Sequence, residues 1–158
     1  MTAPKMPPVL PRGIRNNNPG NIRLSSTRWK GQRNFQFDPA FVEFETPMLG
    51  LRAMMRLLLT YHFKYGLDSV TALINRYAPP HENATDAYIH QVARRLGVER
   101  MTPLDLRRSD VLVTLARAIT RHENGPAPKD YPADWYANSV YTAACAMVMS
   151  EIKQKENV

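Results

Sequence analysis

Residues 115–125 read LARAITRHENG. Leu115 and Ile119 stand one helical step of four apart, Leu112 and Ala116 extend the same stripe, and Gly125 with Pro126 ends it. The pattern predicts a helix capped by Ser109 and stopped by the Gly-Pro pair. Glu123 then falls in the last turn, where the negative end of the helix dipole disfavours a further negative charge. Helical steps from Leu115 and Ile119 bring Glu123 onto or beside the apolar stripe, so partial burial acts in the same direction. Both effects favour a carboxyl that keeps its proton near neutral pH. Such an acid suits the step in which a glycosidic oxygen leaves with a proton. The competing reading is an exposed helix-end glutamate paired with Arg121 or Lys129.

The same tripeptide, His-Glu-Asn, occurs earlier at 81–83, ahead of Thr85. There Glu82 would precede a helix capped by Thr85, and a carboxylate at that end of a helix is comfortable when ionised. That copy reads as structural.

Outward from these two points the chain is mostly helical. Leu51, Met54, Met55, Leu58 and Tyr61 recur at helical spacing from Pro47 to Gly66. A second helix is expected from a cap at Asp68 or Ser69 to the residues before Pro79, and a third from Thr85 to Gly97. TPLDL (102–106) predicts a short helical turn with Thr102 as cap and Pro103 in first position. A last helix is expected from about Asp134 into the 150s. Residues 12–47, dense in Asn, Gly and Pro, with Phe35/Phe37 and Phe41/Phe44 alternations, predict loops around a small irregular β-hairpin. The expected fold class is α+β and predominantly α-helical, with one domain over 12–152. A flexible proline-rich arm (1–11) would precede it and a frayed tail (153–158) follow.

Composition narrows the function. The 158 residues include a single cysteine, Cys145, in an apolar run, which excludes an internal disulfide and suggests a buried thiol. No apolar run approaches the roughly 18 residues of a membrane span, and the N-terminus is too proline-broken for a signal-peptide core. The chain is therefore expected to be made in the cytoplasm without a signal peptide. Seven basic residues and no acidic one lie between Lys5 and Arg33, within a net charge of +7. Such a stripe suits an anionic polymer, either nucleic acid or the bacterial wall, and serves plain solubility equally well. Nucleic acid is the poorer fit, because no helix-turn-helix or stacking platform accompanies the charge. No H-E-x-x-H occurs, and His62, His81, His90 and His122 lack ligand spacing, so neither a metal nor a cofactor is expected. No G-x-S-x-G marks a serine nucleophile.

Five motifs in order carry a resemblance: RGIRNNNPGNIR (12–23), WKGQ (29–32), FVEFETPMLGLRAM (41–54), INRYAPPHENATDAYI (74–89) and AITRHENG (118–125). In these the chain resembles a family of phage virion-associated and prophage proteins with a lysozyme-like, lytic-transglycosylase-like domain. NPGNIRLSSTRWKG and FVEFETPMLGLRAMMRLL are also similar, more weakly, to glycoside hydrolase family 73 glucosaminidases and flagellar muralytic enzymes. In those enzymes the helix ending in the catalytic glutamate precedes the hairpin, whereas here the matching segment follows it. The resemblance thus implies a circularly permuted lysozyme-like fold, which closely spaced domain termini make physically accessible.

On that resemblance Glu123 is the general acid, and Tyr88, with Asn83 and Thr85, lines the groove beside the reacting sugar. Asn18 and Asn21 belong to the groove loop, either binding saccharide or holding the turn, and Trp29 either stacks on a sugar or fills the core. The second carboxylate of the glucosaminidases has no clear counterpart: Glu43 and Glu45 are not expected to face the acid, and Asp38 is the other acid nearby. One acid alone resembles lytic transglycosylation, in which the sugar's own hydroxyl closes a 1,6-anhydro ring; Asp38 or Glu43 in place would instead activate water for hydrolysis. The resemblance implies cleavage of the MurNAc-GlcNAc backbone of peptidoglycan. The wall would be reached through a phage virion, holin-assisted lysis or a secretion apparatus, whose proteins are then partners. The alternatives are a catalytically inactive phage structural or wall-binding protein of the same fold, and a peptidoglycan endopeptidase.

Overall fold

The computed structural model describes residues 9–80 and 84–156, and it is predominantly α-helical. Most of the proline-rich arm, and the whole first His-Glu-Asn copy with Asn83, lie outside the described residues.

Helix α1 (Arg12–Arg15) is a single turn, and α2 (Pro47–Tyr65) is the long central element. The Thr46 side chain caps α2 by accepting from Leu49 N, Pro47 occupies its first turn, and Gly66 closes it with φ of 66°. Helix α3 (Val70–Tyr77) starts at Ser69, whose hydroxyl accepts from Ala72 N. Helices α4 (Thr85–Leu96), α5 (Ser109–Asn124) and α6 (Asn138–Glu156) complete the fold. The α2 helix packs chiefly on α6 and α4 on α5. Between them Leu51, Met54, Leu58, Leu73, Ile89, Leu112, Leu115, Ile119 and Tyr141 form one buried core. A smaller cluster of Ile22, Val42, Phe44 and Ala53, flanked by Trp29 and Leu57, seats the 12–46 segment on α2.

Several boundaries differ from those read in the sequence. Thr85 is the first residue of α4 rather than its cap, and its hydroxyl donates to the Ala78 carbonyl at 2.9 Å. Ser109 likewise begins α5, after Arg108. Residues 103–105 are not helical; Leu104 N donates instead to Asp68 O. The last helix starts at Asn138, because Asp134 and Trp135 take positive φ values of 57° and 75° and break the path. Asp134 holds that break by accepting from Arg95 and Arg117 while its carbonyl accepts from the Tyr141 hydroxyl. The tail placed at 153–158 remains helical through Glu156.

Residues 12–46 contain no β-hairpin. Two isolated antiparallel bridges, Arg23 with Phe41 and Gln32 with Phe44, take its place. Polar side chains bind backbone groups that a ladder would otherwise satisfy. Asn18 bonds Ile22 and Val42, Asn17 donates to Phe44 O, Gln36 donates to Asp38 O and Phe41 O, and Glu43 accepts from Phe37 N. Asn17 and Asn21 adopt positive φ, a conformation asparagine tolerates better than most side chains. Gly50 in the first turn of α2 is required by contact: a Cβ there would strike the Asn17 carbonyl.

Candidate active site

The last turn of α5 meets the 16–21 loop through Asn124. This buried side chain donates to Pro19 O at 2.8 Å and to Thr120 O at 2.9 Å. Helix end and loop are thereby locked together, although a hundred residues separate them in sequence. On the other flank, the Tyr77 hydroxyl donates to Gly20 O at 2.6 Å, an approach that a Cβ on residue 20 would block.

Between these contacts opens a cavity of about 400 Å³. Glu123, Asn21 and Arg23 supply its polar wall, and Trp29, Tyr61 and Tyr77 its aromatic one. Glu123 makes no ion pair among the described residues, so neither Arg121 nor Lys129 neutralises it. Its Oε2 lies 3.5 Å from Asn21 Nδ2. Burial pushes its carboxyl up from the ordinary 4.5 to about 7, against the opposing pull of the Asn21 amide and the positive charge of Arg23. Desolvation wins because those partners are few and the groove is partly closed.

Tyr88 lies fully buried beneath the acid, its ring stacked on His122 with centroids 3.6 Å apart. Burial, and then the neighbouring Glu123, raise the Tyr77 and Tyr88 hydroxyls well above their ordinary range, so both remain protonated. His122 Nδ1 donates to Gln91 Oε1 at 2.6 Å, and burial lowers the pKa of this ring. Among the described residues, Asn21 Oδ1 and Trp29 Nε1 in the cavity wall and the Tyr88 hydroxyl behind it are buried without a hydrogen-bond partner. Orphans of this kind are unusual and suit a site that binds something polar.

The structure brings Glu123, Asn21 and Trp29 to one cavity, whereas Tyr88 is buried behind Glu123 and forms no part of the cavity wall. It does not bring Asn18, which is fully buried and spends its amide on Ile22 N, Ile22 O and Val42 O. Thr85 lies outside the cavity wall and anchors Ala78, which does line it. Trp29 packs on the smaller core cluster, as one of its two expected roles required, and also edges the cavity.

The two candidate second carboxylates are built into the loop scaffold. Asp38 accepts both arms of Arg12 at 2.6 Å, Asn16 Nδ2 at 2.8 Å, and the amides of Ala40 and Phe41. The Arg12 guanidinium and these donors hold its carboxyl well below the usual range. Glu43 accepts from Phe37 N and Asp38 N and faces Arg33. Neither lines the cavity, where Glu123 is the carboxyl among the described residues. No group of three His, Cys, Asp or Glu side chains among the described residues is arranged to hold a metal ion.

Sequence reasoning missed Arg23, Tyr61, Tyr77 and Asn124. Tyr61 stood in an apolar helical stripe that marked it for the helix alone, while Arg23 was one charge in a basic run. Asn124 carried a local signal, an amide directly after the candidate acid at a helix end, where free carbonyls and loops meet.

No protein-family model matches the chain. It is 42% identical over 123 residues to Protein P5 of Pseudoalteromonas phage PM2, a match spanning 76% of this chain and 75% of that protein. No helix among the described residues is long and apolar enough to cross a membrane.

Proposed function

The chain belongs to the family of Protein P5 of Pseudoalteromonas phage PM2, and on that phage premise we propose that it cleaves the glycan backbone of peptidoglycan with Glu123 as general acid. The observation that carries the reading is one partly buried carboxyl, its pKa pushed up to about 7 by burial, in a cleft with aromatic and amide walls. Its fold would be lysozyme-like in permuted order, with α5 delivering the acid to the 16–21 loop from the later part of the chain. The contact of Asn124 with Pro19 supports that arrangement.

The chemistry proposed is lytic transglycosylation. Protonated Glu123 gives its proton to the glycosidic oxygen as the C1–O bond of the MurNAc residue breaks. The C6 hydroxyl of the same sugar then bonds to C1, and its proton passes to the Glu123 carboxylate, which restores the acid. A 1,6-anhydro end results and no water is consumed. The occupation of Asp38 and Glu43 by loop donors favours this route over hydrolysis, which needs a second carboxylate to activate water. Asn21 and Arg23 are suited to hold the carboxylate between the two steps, and Trp29 to pack against a sugar face. The basic 12–33 segment would favour contact with an anionic wall.

Purified sacculi digested by the protein should release anhydro-muropeptides, identified by mass spectrometry. Reducing-end products would replace transglycosylation by hydrolysis, and intact sacculi would remove the enzymatic reading. Because the reactive form of Glu123 is protonated, kcat/KM should fall about tenfold per pH unit above its pKa of about 7. A profile flat from pH 6 to pH 9 would show that another group supplies the proton.

A further inference from the structure

A second cavity, of about 730 Å³, lies at the same end of α5, lined by Arg121 and His122 together with Gln91, Arg94 and Arg95 of α4. It shares no wall residue with the Glu123 cavity, but the stacked Tyr88–His122 pair joins them, since Tyr88 approaches the acid and His122 faces the second cavity. Among the described residues no carboxylate lines it. Arg95 is already paired with Asp134, which Arg117 also engages. The side chains of Arg94 and Arg121 make no ion pair or hydrogen bond with the described residues. The Arg94 and Arg121 guanidinium groups thus line this cavity with donors unspent among the described residues, and their planar forks match carboxylates in pairs.

We propose that this cavity binds carboxylate groups of the peptide branches that hang from the glycan strand. The inference rests on the glycan-cleaving reading, which places the sugar backbone in the adjoining cleft and so brings its peptide branch to the end of α5. The site would then select peptide-bearing strands over bare ones, and its contribution would appear in substrate binding rather than in bond breaking.

Calorimetry with the full chain tests this directly, using the soluble stem tetrapeptide, the same peptide with its carboxyls amidated, and inorganic phosphate. The unmodified peptide should bind and lose affinity as salt is raised, the amidated peptide should bind at least tenfold more weakly, and phosphate should not bind more tightly than the peptide. The double variant Arg94→Ala, Arg121→Ala changes two exposed side chains, and it should keep the wild-type circular dichroism while weakening peptide binding at least tenfold. On intact sacculi its KM should rise by a similar factor at unchanged kcat, with no change on glycan stripped of peptide by an amidase. Equal peptide affinity in wild type and double variant, equal affinity for the amidated peptide, or tighter binding of phosphate would overturn the assignment. Peptide binding by a protein that leaves glycan uncut would instead overturn the glycan-cleaving reading and leave the carboxylate site standing.

Discussion

Glu123→Gln should reduce glycan cleavage by roughly 10²–10⁴-fold, the usual contribution of a positioned general acid, and should at the same time make the folded chain more stable above neutral pH. Glutamine keeps the shape and can still meet Asn21, but it has no proton to deliver. The stability effect follows from the raised pKa. Between about 4.5 and about 7 the folded state holds a proton that the unfolded chain has released, so folding stability falls as pH rises through that window. Above it the ionised, partly buried carboxylate costs the fold on the order of 3 kcal/mol, at about 1.4 kcal/mol for each tenfold change in proton affinity. Glutamine removes that cost. Urea unfolding at pH 5 and pH 8 should therefore show a gain for the variant that is larger at pH 8. A variant that cleaves normally, or one that is less stable at pH 8 than at pH 5 relative to wild type, would contradict the assignment. Loss of activity with a gain in stability at one position is the pattern of a side chain kept for chemistry.

Asn18→Ala should unfold the protein more readily, by roughly 2–6 kcal/mol, because it strands two buried backbone groups that each cost about 1–3 kcal/mol when unpaired. Those groups are Ile22 N–H, which donates to Asn18 Oδ1 at 2.9 Å, and Val42 O, which accepts from Asn18 Nδ2 at 2.9 Å. Such a loss is a large share of an ordinary domain's total stability. A fall in thermal midpoint with KM preserved in the surviving folded protein is the expected result. An unchanged midpoint with a raised KM would return Asn18 to the saccharide-binding role that its place in the NNNPGN run first suggested.

The contrast between Asn18 and Asn21 marks how far sequence reasoning reached. Both sit in one short polar loop, and nothing in their local pattern says that one faces inward to Ile22 while the other faces Glu123. That choice is made by long-range contacts, chiefly Asn124 on Pro19 and Phe44 N on Asn16 O. The helices were legible because their apolar stripes and stop signals are local: Gly66, Gly97 and Gly125 each end a helix where expected. Glu123 was legible for the same reason, since helix-end position and stripe register both follow from nearby residues. The hairpin expected in 12–47 was not, because side-chain bonds from Asn, Gln and Glu compete with ladder bonds and leave no strand periodicity to decide between them.

The bond from Asn124 to Pro19 also sets an order of events. During synthesis the loop leaves the ribosome about a hundred residues ahead of the helix end it must meet, a delay on the order of 5–20 s at usual translation rates. Until α5 is made, the chain has an aromatic half-groove and no Glu123 to complete it. Under the proposed function, a nascent or prematurely ended chain would be inert toward glycan. Cutting power would arrive with the closing of the longest-range contact at the site, and a product stopped anywhere before residue 123 would lack it altogether.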